Sequence, residues 1–147
     1  MGETRDVIER WWDRFEARDW DATVALVDPD CEWTTPDATL RGAQQVEGLI
    51  RAYATAFPDL HHEFRSFVES GDVAAMEIVL TGTHRGVLAT PAGEVPPTGR
   101  PIRFRFCDVI TVSDGLMVSV RSYYDTLDLA GQLGLIPPPG QGANAPA

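Results

Sequence analysis

The hydrophobic period of the chain changes once, at Pro58, and that change constrains the fold more than any other feature. Before it, apolar residues recur every three to four positions; after it they recur every second position. Val7, Ile8, Trp11, Trp12 and Phe15 form one helical stripe, for which Thr4 is the expected N-cap. Asp19 reads as the N-cap of a short second helix that ends at Asp28-Pro29-Asp30, and Cys31–Thr35 as a short strand stopped by Pro36-Asp37. Gly42 to Phe57 is the longest helix, closed by Pro58.

Beyond Pro58 the alternation predicts four long strands. His62, Phe64, Ser66 and Val68 share one face of the first, and His61 and His62 point to opposite faces, so they cannot hold one metal together. Val73–Thr83 carries Met76, Ile78 and Leu80 on one face and Glu77 on the other. Ile102 to Val112 places an aspartate, Asp108, on an otherwise apolar face between Phe106 and Ile110. Asp114-Gly115 is a hairpin turn, and Leu116–Tyr124 returns as the last strand with Val118, Val120 and Ser122 on one face. A Gly/Pro-rich loop over 85–100 separates the middle strands and is a candidate lid, and Leu127–Leu133 forms one or two helical turns. Helices followed by antiparallel strands make an α+β domain. The expected form is a cone-shaped roll: a strongly curved mixed or antiparallel β-sheet with three N-terminal helices over a deep cavity. Residues 1–136 make one domain, and the Pro/Gly/Ala-rich residues 137–147 a flexible tail.

Charge and composition then remove whole classes of function. The formal net charge is −10, which repels phosphate backbones and anionic bilayers, so neither a nucleic-acid nor a membrane partner is expected. All twelve basic residues are arginine, so no side-chain amine can form a Schiff base. Two cysteines, Cys31 and Cys107, are too few for a disulfide framework. No metal-ligand spacing occurs, and neither a metal nor another cofactor is expected. No apolar run is long enough for a membrane span or a signal-peptide core, which points to the cytoplasm.

Four segments carry a family resemblance: Ala56-Phe57-Pro58-Asp59-Leu60, Thr81-Gly82-Thr83-His84 followed by Gly86, Pro97-Thr98-Gly99-Arg100, and Tyr123-Tyr124-Asp125 followed by Gln132-Leu133-Gly134. With the element order, they make the chain resemble the SnoaL-like polyketide cyclases and their ester-cyclase relatives, within the nuclear transport factor 2-like superfamily. The resemblance spans roughly residues 4–136. In that superfamily the working side chains project into the cone from recurring positions, and it implies which residues stand there here. Trp11 matches an aromatic hydroxyl on the first helix. Thr35, before Pro36, matches a general base. Asp108, six residues before Asp114, matches an oxyanion-binding acid. Ser122, three before Asp125, matches the acid/base aspartate of cyclases and epoxide hydrolases.

One acid of the set is therefore kept and the bases are absent. A carboxyl isolated on an apolar face is costly to ionise, so Asp108 is the expected catalytic group, donating a hydrogen bond to a developing oxyanion or shuttling a proton; a buried, satisfied structural Asp is the bland alternative. Trp11, Trp33, Tyr53, Phe57 and Phe106 are the candidate aromatic substrate-binding residues, with Thr35, Glu77 and Ser122 as the polar ones. Asp125 reads as a cap of the C-terminal turn and His84 as a structural histidine.

The function expected is a cofactor-independent cyclase of a large hydrophobic polyketide-type intermediate, a lyase or isomerase in antibiotic biosynthesis. It works by shape and an Asp108 hydrogen bond, through an intramolecular cycloaddition or otherwise an aldol-type closure. Two alternatives stay open: a hydrolase or isomerase of the same superfamily, with Glu77 and Asp108 as a water-activating pair, and a non-catalytic hydrophobic-ligand-binding module. A homodimer is expected through a convex face bearing Arg103, Arg105, Val109 and Thr111.

Overall fold

Glu3–Glu16 (α1) lays Val7, Ile8, Trp11, Trp12 and Phe15 against the concave side of a six-stranded sheet in the computed structural model, which describes residues 2–90 and 92–136. The flexible tail expected at 137–147 lies outside the described residues. Trp20–Val24 (α2) follows, capped as expected by the Asp19 side chain, which accepts from Ala22 N–H. Then come Val27–Thr35 (β1), Ala38–Arg41 (β2) and Gly42–Ala56 (α3). The strands His61–Ser70 (β3) and Val73–Thr83 (β4) pair as a hairpin. Leu88–Thr90 (β5) and Gly93–Val95 (β6) form a small hairpin of their own. Pro101–Ser113 (β7), Leu116–Tyr124 (β8) and Thr126–Gln132 (α4) complete the chain.

The sheet order is β2-β1-β8-β7-β4-β3. All neighbours are antiparallel except β1 and β8, which run parallel. This is the α+β roll read from the sequence, with a mixed, curved sheet.

Several local expectations need correction. Thr4 does not cap α1: Gly2 is the N-cap residue, and Thr4 Oγ1 donates to Gly71 O at 2.8 Å. The cap comes from β3, where the Glu69 carboxylate accepts from Gly2 and Arg5 N–H. The Asp28-Pro29-Asp30 step does not end the structure before β1; the strand runs through it, with a shift of register against β8 between Val27 and Glu32. Two bulges break the expected alternation. In β3, Phe64 pairs with Ile78 and Ser66 with Glu77, so Arg65 is an extra residue; Phe64 and Phe67 then face inward while Val68 is exposed. In β8, Thr111 pairs with Ser119 and Val112 with Met117, so Val118 is the extra one, and Met117, not Val118, joins Val120 and Ser122 on the buried face. His61 and His62 begin on opposite faces, His61 exposed and His62 partly buried, yet both rings turn their Nδ1 to Glu16 Oε1, at 3.1 and 2.9 Å.

Two devices fix the mouth of the roll. Arg18 takes a left-handed backbone conformation (φ 61°) just past α1, and its guanidinium donates to the carbonyls of Ala54, Phe57 and Pro58, closing the C-terminal end of α3. The segment 85–100 is pinned at its base. Arg85 and Gly86 N–H both donate to Ala56 O, and buried His84 accepts Thr98 N–H at Nδ1.

Candidate active site

β7 sets the site. Its inward face runs Ile102, Phe104, Phe106, Asp108, Ile110, Val112, as the alternation predicts, and Asp108 is 1% exposed. The register places Ser122 of β8 directly opposite Asp108, and Phe106 opposite Tyr124. Trp33 reaches across from β1, its Nε1 donating to Ser122 Oγ at 3.1 Å. From the helical side come Trp11 and Trp12 of α1, which meet edge to face with ring centroids 5.1 Å apart, and Tyr53 of α3. Together these enclose an inner chamber of about 70 Å³. A wider outer chamber of about 380 Å³ adjoins it, walled by α3, α4 and the β5–β6 hairpin. Thr35, Leu49, Tyr53 and Tyr124 line both and form the neck between them.

Among the described residues, Asp108 is the one carboxyl of the inner chamber. Burial pushes its pKa from 3.8 up to about 7, and a hydrogen bond from Ser122 pulls the other way. The Ser122 oxygen already accepts from Trp33, so its own proton is left to donate to the carboxyl. The second carboxyl oxygen, Oδ1, has no partner, and neither has the Nε1–H of Trp11 in the same chamber wall. Buried polar atoms are seldom left so, and an apolar chamber with one such acid and one such donor is suited to an oxygen-bearing ligand. Burial raises the Tyr53 hydroxyl well above the ordinary tyrosine range and Tyr124 more modestly, so both stay protonated at neutral pH.

The structure brings together Trp11, Trp33, Thr35, Tyr53, Phe106, Asp108 and Ser122 around one chamber. It does not bring in the other two expected residues. Phe57 is completely buried behind Tyr53 and packs against His84. Glu77 faces the outer side of the sheet, opposite Cys107, and accepts a hydrogen bond from Ser66 Oγ at 2.8 Å. Since Asp108 is Glu77's diagonal neighbour in the ladder, one residue out of step, the two carboxyls point to opposite faces of the sheet. Tyr124 and Asp37 escaped the sequence reading. Tyr124 shares the inward phase of Val120 and Ser122, which was the signal for it. Asp125 caps α4, accepting from Leu127 and Asp128 N–H. Among the described residues no three His, Cys, Asp or Glu side chains are grouped to hold a metal, and no helix is long and apolar enough to cross a membrane.

Known structures share this architecture. IdmH, a candidate polyketide cyclase from Streptomyces antibioticus, is 27% identical over 90% of this chain and 99% of its own, with a TM-score of 0.75. A candidate SnoaL-like polyketide cyclase from Jannaschia sp. CCS1 is 20% identical over 92% of this chain and 94% of its own, with a TM-score of 0.79. AclR, a candidate hydroxylase from Streptomyces galilaeus, is 23% identical over 92% of this chain and 98% of its own, with a TM-score of 0.77. None of the curated proteins matches the sequence. The SnoaL-like domain family matches residues 8–120, from the first buried stripe of α1 to the middle of β8, and this chain belongs to that family.

Proposed function

We propose that the chain is a cofactor-independent cyclase of a large, mostly apolar polyketide-type intermediate, with Asp108 as the group that polarises the reacting carbonyl. One observation carries the reading: a wholly buried carboxyl with an unpartnered oxygen in the wall of an aromatic chamber. A carboxyl with a pKa near 7 is largely protonated when a dry ligand fills the chamber, and then its O–H donates to a ligand carbonyl oxygen. The free Trp11 N–H is a second donor to negative charge developing there. The likeness to a candidate polyketide cyclase at 27% identity supports the same class of substrate.

Among the described residues, the inner chamber is lined by no second carboxyl and no histidine to take up a proton. Chemistry with no net proton movement suits it best. In an intramolecular cycloaddition two π bonds become two σ bonds, and no proton leaves. Donation from Asp108 to a carbonyl conjugated with the accepting double bond draws electrons from that bond and lowers the barrier. The two chambers hold the flexible chain folded, which supplies the entropic part of the acceleration. The hydrolase alternative asked for Glu77 and Asp108 on one water, and these carboxyls lie on opposite faces of the sheet.

The test is to incubate a linear polyene ketone with and without the protein and to follow ring closure. The wild type is expected to accelerate closure, Asp108→Asn to do so less, and Asp108→Leu least. Equal rates with and without protein would leave a ligand-binding module.

A further inference from the structure

The neck between the chambers carries a chain of hydroxyls that the reaction above leaves idle. The Tyr124 hydroxyl lies 3.2 Å from Asp37 Oδ1, and Thr35 Oγ1 lies 2.9 Å from the same oxygen. The Tyr53 hydroxyl in turn is hydrogen-bonded to that of Tyr124. A carboxylate only accepts, so Tyr124 turns its proton to Asp37, and the Thr35 proton goes to Asp37 or to the Tyr124 oxygen, which Thr35 also reaches. Tyr124's oxygen is then the acceptor for Tyr53, whose single proton is thereby used as well. Three hydroxyls have three donors between them, and all three are used within the series that ends on Asp37, at the exposed turn between β1 and β2. With those protons spent, what the Tyr53 and Tyr124 oxygens have left to offer a ligand is lone pairs.

The inner chamber has the opposite character. Its unpartnered polar atoms are the Trp11 N–H, a donor, and Asp108 Oδ1, which donates when the carboxyl is protonated. Strand geometry sets the backbone offset between the two stations. Ser122 stands opposite Asp108, and Tyr124 follows it by two residues on the same face of β8, which is about 7 Å along the strand.

We infer that the neck selects ligands by a hydroxyl group: the molecule that fills the two chambers carries a hydrogen-bond donor seated on Tyr53 and Tyr124, at the other end from the carbonyl oxygen held at Asp108. The carbonyl half of this statement rests on the reading under Proposed function; the hydroxyl half rests on the Asp37–Tyr124–Tyr53 series alone. The ligand class is thus a hydroxyketone or phenolic ketone with an apolar remainder. An ether or ketone oxygen at the neck would set lone pair against lone pair and lose its water without replacement. A carboxylate there would also meet the charge of Asp37.

The experiment is an NMR titration of isotope-labelled protein with acetophenone, para-hydroxyacetophenone and para-methoxyacetophenone, and with phenol and anisole as probes without a carbonyl. The indole N–H signal of Trp11 reports on the inner chamber independently of the neck. The hydroxyketone is expected to bind about tenfold more tightly than either other ketone, and phenol more tightly than anisole. In Tyr124→Phe the Tyr53 proton is released toward the passage, and the preference is expected to shrink to about threefold or less. Asp37→Asn, whose amide can donate to Tyr124 and reverse the series, is expected to lose the preference too and serves as the second variant. Equal binding of the hydroxy and methoxy compounds, or a preference unchanged in both variants, overturns the neck assignment. A phenol preference with no response of the Trp11 signal to any ketone leaves the neck standing and overturns the carbonyl station instead.

Discussion

Trp33 and Ser122, on the neighbouring strands β1 and β8, are joined by a hydrogen bond of 3.1 Å that is wholly buried. The bond fixes the serine oxygen as an acceptor, which aims the serine proton at Asp108 across the ladder.

Removing that oxygen in Ser122→Ala leaves the Trp33 N–H buried without a partner and takes a donor from Asp108. The expected cost is about 1–3 kcal/mol, read from urea unfolding. The Asp108 pKa should rise beyond its present value near 7, since the hydrogen bond that lowers it is gone. Ser122→Asp acts differently. It sets a second carboxyl opposite the first, each raising the other, and is expected to weaken binding of an apolar ligand without improving turnover. A gain in turnover would mean that proton transfer, not chain folding, limits the reaction.

Asp108 gives stability an unusual pH slope. Its folded pKa lies above the ordinary 3.8, so between the two values the folded chain holds a proton that the unfolded chain has lost. The contribution is fully present below the unfolded value and disappears as pH rises through 7. Relative to Asp108→Asn, the wild type should therefore lose roughly 2–3 kcal/mol between pH 5 and pH 8. Asp108→Leu, which puts an apolar group of similar size in the apolar setting, should be more stable than the wild type at pH 8. A wild-type curve parallel to that of Asp108→Asn would show that the carboxyl is not held neutral.

Two glycines of similar local sequence character should respond in opposite senses to alanine. A Cβ on Gly48, in the middle of α3, meets nothing within 4 Å. Gly48→Ala should stabilise by about 0.5–1 kcal/mol. A Cβ on Gly86 would stand 2.0 Å from the backbone carbonyl oxygen of Thr55, in the close approach that docks the 85–100 segment on α3. Gly86→Ala should cost roughly 2–4 kcal/mol and loosen the wall of the outer chamber. Thermal melts of the two variants decide both.

The outer face of the sheet invites a second sheet. It presents Arg103 and Arg105 with partly covered Val109 and Thr111, and Tyr123 is 55% exposed beside them. Light scattering is expected to give twice the 16.1 kDa chain mass, and Arg105→Glu to shift the mass toward one chain. A mass of one chain for the wild type at micromolar concentration would contradict the expectation.

The sequence displayed the fold wherever a regular period ran uninterrupted. The stripe on α1, the stop of α3 at Pro58 and the inward face of β7 with Asp108 on it all follow from spacing. Spacing was silent where one extra residue enters a strand. The bulges at Arg65 and Val118 each reverse the faces beyond them, and only pairing with the neighbouring strand reveals them. Glu77 was misplaced for a related reason: alternation says which residues share a face but not which face is the concave one. Asp37 entered the site through a turn that pattern reading treats as a stop, and its partner Tyr124 lies 87 positions away. The candidate site was legible where one strand carries it, and illegible where the cluster is made by chain segments meeting from far apart.

The parallel pairing of β1 with β8 has a consequence for how the molecule is made. Each other neighbour pair of the sheet, apart from the β4–β7 crossing, is joined by a short turn, whereas Trp33 waits for a partner strand some ninety residues downstream, around Val120. During synthesis the strands β3 to β8 can zip together in the order in which they leave the ribosome, but β1 and β2 have no edge to join until β8 exists. For that time the Trp33 indole N–H lacks its acceptor, Ser122 of β8. The chamber is thus sealed last, when β8 joins β1, and a nascent chain stalled before β8 would leave Trp33 on an open sheet edge.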